Sequence, residues 1–194
     1  MQVQKEELRQ NILDAAKQEF IAKGYENSSM RLIAKKANTT LGNLYHYFDG
    51  KEDILTVLLA PALQNLELFC EEHLEQNEEF HSIEDIVKAL DEIGSDIERT
   101  ELNYVLDDTL LILFDLKTTH FVEVREAFLK KCKAHMQFHL KIKDQDSKYL
   151  DIIVNMFVDC IRHVLIEQKN PEEARAEFMK VFRLLCTGII AIDE

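Results

Sequence analysis

Residues 28–53, SSMRLIAKKANTTLGNLYHYFDGKED, read as two short helices meeting at a sharp angle and a third beginning just beyond. Ser28 or Ser29 is placed to cap the first helix, from about Met30 to Ala37, because a hydroxyl can accept one of the unpaired N–H groups of the first turn. Ile33, Ala34 and Ala37 recur at helical spacing and form its inner face. Asn38 ends it, since asparagine tolerates the left-handed backbone that a tight turn requires. Thr39 or Thr40 caps the second helix, Thr40–Phe48, which turns Leu44, Tyr47 and Phe48 inward. Small Ala34 allows a close crossing. The pattern is that of a helix-turn-helix.

The rest of the chain supports an all-α fold. Apolar residues make up 46% of the 194, ample for a core, and with five Gly and two Pro there is little material for hairpins. A first helix over 5–23 carries Leu8, Ile12, Ala16 and Phe20 in one stripe and stops at Gly24, with Tyr25 packing back beneath it. A long helix from Lys51 to about Gln76 contains Pro61, which predicts a kink because proline lacks an N–H and crowds the preceding turn. Ser82 is placed to open the next helix. Residues 101–117, apolar nearly all round, predict a single central helix. Another spans about 119–142, and KDQDS at 143–147 makes a loop. Two further helices, 148–169 and one opened by Asn170-Pro171-Glu172-Glu173, form an αα-hairpin with a surplus of apolar surface.

The net charge of −13 is unevenly divided. Residues 1–55 hold eight basic and eight acidic side chains, so the remainder carries the whole acidic excess. Within 28–51 the balance is +3, and binding to a polyanion depends on the local face. The four cysteines form no CxxC pair and read as reduced core thiols. No apolar leader and no run of membrane-spanning length are expected, which implies a cytoplasmic protein without membrane partners.

RLIAKKANTTLGNLYHYFDGKEDIL resembles the DNA-binding segment of the TetR family of bacterial transcriptional regulators. Arg31, Ile33, Ala34, Ala37, Thr40, Gly42, Leu44, Tyr45, Tyr47, Phe48, Lys51, Glu52 and Leu55 meet the family pattern. Asn38 stands where glycine is usual, Thr39 where an aliphatic is usual, and Gly50 is unusual in the loop before the lysine. The Thr39 departure is expected to weaken the small core slightly.

The resemblance implies a three-helix DNA-binding domain over 1–50 and a helical ligand-binding and dimerisation domain over 51–194, about nine helices in all. It further implies a repressor released from a palindromic operator by a small molecule, with no cofactor. Carried over by position, Arg31, Leu41, Asn43 and His46 meet bases, while Thr40, Tyr45, Tyr47 and Lys51 hold phosphates. Gly42 lets the backbone approach the strand. In the family the last helical pair docks on its twin in a second subunit, which assigns Ile153, Phe157, Ile161, Val164, Phe178, Phe182 and Leu185 to the dimer interface. The alternative is a helical ligand- or partner-binding module whose head no longer reads DNA, and the acidic excess is its support.

Other constellations are weaker. Tyr104, Asp108, Leu111 and Asp115 fall on one face of the expected central helix and, with His135, are candidates to line a ligand cavity. Cys132, His135 and His139 share a helical face, echoed by Cys160 and His163, but structural zinc sites usually use short loops, so no metal is expected. No nucleophile–base pattern, phosphate-binding glycine loop or HExxH motif is present, and an enzyme is not expected.

Overall fold

A computed structural model describes residues 2–75, 83–140, 148–167 and 170–190. Among these there are nine α-helices and no strand. They are α1 (Gln2–Lys23), α2 (Met30–Lys36), α3 (Leu41–Leu44), α4 (Lys51–Phe69), α5 (Ile83–Ser95), α6 (Thr109–Asp115), α7 (Phe121–His139), α8 (Lys148–Glu167) and α9 (Pro171–Ile190). Ser82 and the 143–147 loop lie outside the described residues. Two compact units are present, one of residues 1–64 with 108–125, the other of 65–107 with 126–194. The start of α4 and the whole of α6 belong to the first unit.

In the first unit α1 buries Ile12, Ala16 and Phe20, and Gly24 stops it with φ of +78°. The Phe20 and Tyr25 rings meet edge to face, 5.3 Å between centres. Glu19 on α1 pairs with Lys23 at 3.0 Å and with Lys36 of α2 at 2.6 Å. Glu19 itself is fully shielded from solvent. Burial opposes its ionisation, but the Lys36 contact, the largest influence, and the Lys23 contact hold its pKa below the ordinary 4.5. Helix α6 packs on α1 with Leu110–Leu113 buried, and Lys17 pairs with Asp108. Arg125 closes the end of α6 by donating to the carbonyls of Phe114 (3.2 Å) and Leu116 (2.5 Å).

The central helix expected over 101–117 is broken. Residues Glu101–Leu106 wind as a 3₁₀ helix, Asp107 is extended, and α6 starts only at Thr109. Consecutive Asp107 and Asp108 favour the break, since short acidic side chains compete with helical backbone bonds.

Helix α4 runs unbroken through exposed Pro61 and then widens into a π-helical turn, Cys70–Leu74, closed by Glu75 N–H donating to the Cys70 carbonyl at 2.9 Å. Contrary to the sequence expectation, Lys51–Leu74 is long and apolar enough to cross a membrane by length and composition. Its apolar residues nonetheless include a buried stripe, Ile54, Leu55, Leu59, Ala62, Leu66 and Phe69, beside exposed Glu52 and Glu67, the pattern of a core helix.

In the second unit α9 packs on both α5 and α8. Phe157, Phe178 and Phe182 form its aromatic centre, with ring centres 5.4 to 6.1 Å apart. Arg183 pairs with Asp91 of α5, and Arg175 with Glu98.

Candidate nucleic-acid interface

Each joint of the helix-turn-helix has a local cause. Ser29, with extended backbone, accepts from Leu32 N–H at 3.2 Å and is the N-cap of α2. Ser28 is buried and donates its hydroxyl to the Tyr25 carbonyl at 2.5 Å. Asn38 takes φ of +53°, and the Thr39 N–H reaches back to the Ala34 carbonyl at 2.9 Å, closing the end of α2. Thr40 caps α3 by accepting from Asn43 N–H at 3.1 Å.

Regular α-helix extends only over Leu41–Leu44 rather than to Phe48. Beyond it His46 N–H donates to Asn43 and Tyr47 N–H to Leu44, a tighter winding. Gly42 and the run Tyr45-His46-Tyr47-Phe48 supply little helix propensity, and burial of Leu44 and Phe48 fixes the segment instead. Arg9 of α1 covers the Phe48 ring at 5.5 Å.

The outer edge of this segment is open. Arg31, Thr40, Gly42, Tyr45 and His46 are exposed, and Leu41, Asn43 and Tyr47 are half-buried. Tyr45, at 50% exposure, is no core residue. A Cβ added to Gly42 would meet nothing within 4 Å, and its φ is ordinary. Neither packing nor backbone strain inside the protein explains glycine there; close approach by something outside would. Asn43 donates its amide to Thr39 Oγ1 at 2.9 Å. Thr39, read from sequence as a weakness, therefore orients a candidate base-reading side chain.

Lys51, assigned by position to a phosphate, is turned inward. Its ammonium donates to the carbonyls of Tyr25 (2.6 Å), Glu26 (3.3 Å) and Ser28 (3.3 Å), and lies 4.3 Å from the Tyr25 ring centre. Burial lowers its pKa, and nearby Glu26 partly offsets that. Sequence reasoning missed this role because the three acceptors are backbone atoms.

The residues proposed for a ligand cavity are divided between the two units. Asp108, Leu111 and Asp115 belong to the first unit, Tyr104 and His135 to the second. The helical register that aligned the first four is lost at the 107–108 break. Asp108 already pairs with Lys17, and Leu111 is buried. His135 is buried in a line of imidazoles, 4.9 Å from the His73 ring centre and 4.4 Å from that of His139, with Nδ1 3.2 Å from the Leu74 carbonyl. Burial, then the two neighbouring histidines, lower its pKa to about 4, and burial pushes the Cys132 thiol up to about 12. Among the described residues no three potential ligands are arranged to hold a metal.

The assigned dimer residues face inward. Ile153, Phe157, Ile161, Val164, Phe178 and Phe182 are buried within the chain and Leu185 is partly so. Their regular spacing marks the seam between α8 and α9. The surplus apolar surface lies elsewhere on these helices, at Tyr149, Ile152 (58% exposed), Met156, Ile166 and Leu184 (70% exposed). A cavity of about 370 Å³ beside it is lined by Met156, Cys160, His163, Glu177 and Val181.

A capped, angled helix pair with an open, glycine-bearing edge, clamped by a third helix, defines a helix-turn-helix head. Residues 12–58 match the family described as bacterial regulatory proteins, tetR family. The likeness to that family is carried by this head. Over 63 residues it is 43% identical to the HTH-type transcriptional regulator SrpR of Pseudomonas putida, covering 32% of this chain and 30% of that one. Over 62 residues it is 42% identical to an uncharacterized HTH-type regulator, TtgW, also of Pseudomonas putida, covering 32% and 46%. The matches thus span less than half the length of these relatives. The fold is similar throughout to the crystal structure of the regulator PfmR from Thermus thermophilus, with 18% identity, 90% and 96% coverage and a TM-score of 0.52. The family and these relatives are regulators rather than enzymes.

Proposed function

We propose that the chain is a cytoplasmic, homodimeric transcriptional repressor that binds a palindromic operator and releases it on binding a small molecule. The observation that carries this reading is the open edge of α3. Gly42 has no internal reason to lack a side chain, and it sits among Arg31, Thr40, Leu41, Asn43, Tyr45, His46 and Tyr47. Arg31 suits a guanine, Asn43 can donate and accept at one base pair, and Leu41 can meet a thymine methyl. Thr40, Tyr45 and Tyr47 offer hydroxyls to phosphates.

Dimerisation is supported by the exposed apolar residues Ile152, Met156 and Leu184 on α8 and α9. Pairing two heads places their recognition segments about one DNA turn apart, roughly 34–36 Å, and so reads a near-palindrome. An effector lowers operator affinity by its preference for a form with other spacing. The test is selection from a random duplex pool at two salt concentrations. A palindrome whose recovery falls as salt rises supports the reading. A chain free of bound small molecules that recovers no motif at low salt refutes it in favour of a helical binding module.

A further inference from the structure

The turn between α1 and α2 is gripped from two directions. Lys51, at the start of α4, donates to the carbonyls of Tyr25, Glu26 and Ser28. The Glu26 side chain leaves the same turn, and its Oε1 accepts from Lys117 N–H at 2.8 Å, Thr118 N–H at 3.1 Å and the Thr118 hydroxyl at 3.2 Å. Those donors lie in the loop between α6 and α7, 91 and 92 residues further along the chain. Two successive N–H groups converging on one carboxylate oxygen form an anion nest.

The loop needs such a holder. Thr119 has φ of +80°, a left-handed conformation that β-branched residues rarely adopt and that persists only when its surroundings impose it. His120 adds a second tie, its Nδ1 standing 3.3 Å from Glu52 Oε1. Burial raises the Glu26 pKa, but the Lys117 and Thr118 contacts outweigh that effect and hold it below the ordinary 4.5. Behind the loop, Arg125 secures the end of α6. The turn in front leads directly into Ser29, the cap of α2.

We infer that Glu26 is the positioning residue that couples the α6–α7 loop to the helix-turn-helix. The loop engaged on Glu26 is the DNA-competent arrangement, and its withdrawal, with movement of α6 or α7, releases the turn that sets the entry of α2. This inference rests on the proposed DNA-binding function and names a residue by which that function is regulated.

The test uses the full chain as wild type, E26A and E26Q, with amide exchange at Lys117 and Thr118 and affinity for a duplex recovered by selection. In E26A the two amides exchange about tenfold faster and duplex binding weakens about tenfold, with the salt slope unchanged. E26Q keeps an acceptor oxygen, so it restores much of both and removes the loss of protection that the wild type shows on acidification. Binding unchanged in E26A, whether or not the amides are freed, overturns the inference alone. A wild type that selects no duplex overturns the proposed function and the inference with it. If E26A does not fold, E26Q decides: amide protection that falls with pH as in the wild type overturns the inference.

Discussion

The Lys51 ammonium donates to the Tyr25 carbonyl at 2.6 Å and lies 4.3 Å from the centre of that residue's own ring. One side chain thus fixes the start of α4 to the turn after α1 by hydrogen bonding and by a cation–π contact.

Two readings of Lys51 can be separated by salt. A phosphate-binding lysine, once removed, flattens the salt dependence of binding by about one unit. A lysine committed to carbonyls leaves the slope alone and lowers stability. Lys51→Met is expected to cost about 1–3 kcal/mol in denaturant unfolding, with an unchanged slope in duplex titrations.

Asn43 is held by Thr39 at 2.9 Å. Asn43→Ala should relax discrimination at one base pair by roughly 1–3 kcal/mol while preserving binding elsewhere in the site. Thr39→Val removes the acceptor and should change preference at that same base pair only. Profiling duplexes with single substitutions checks both, and equal losses on specific and random DNA would remove Asn43 from the base-reading set.

Glu19 makes the head sensitive to acid. Its pKa is lowered in the folded chain, so its stabilising contribution is fully present above about 4.5 and is lost as pH falls through the lower native value. Thermal unfolding from pH 7 to pH 3 should therefore show Glu19→Gln less stable than wild type at neutral pH. The difference should close in acid.

The two sides of the α8–α9 hairpin should respond differently. Leu184→Asp or Ile152→Asp alters an exposed residue and is expected to give folded monomers by sedimentation, with weaker operator binding. Phe178→Ala empties a buried site and should cost about 3–5 kcal/mol of stability. Intact dimers in both aspartate variants would place the interface elsewhere.

The head was legible in the sequence because its causes are local. Ser29, Asn38 and Thr40 act within four residues of themselves, and periodicity alone identifies Ile33, Ala34 and Leu44 as buried. What depends on distant partners was not legible. Lys51 finds backbone carbonyls on another element, and Glu26 finds N–H groups that carry no sequence signature. The hairpin shows a different limit. Spacing showed α8 and α9 to be rich in apolar residues, but not which stripe meets the partner helix and which faces outward. Likewise, an unbroken apolar run over 101–117 concealed the Asp107–Asp108 break, and with it fell the alignment of Tyr104 with Asp108 and Asp115.

Gly42→Leu tests most directly whether the α3 edge reads DNA. The added side chain projects into open space, so the melting temperature should stay close to that of the wild type. Affinity for the selected duplex should fall at least about a hundredfold, because the backbone could no longer reach the strand. A folded Gly42→Leu chain that binds the duplex as tightly as wild type would contradict the assignment of α3 to DNA.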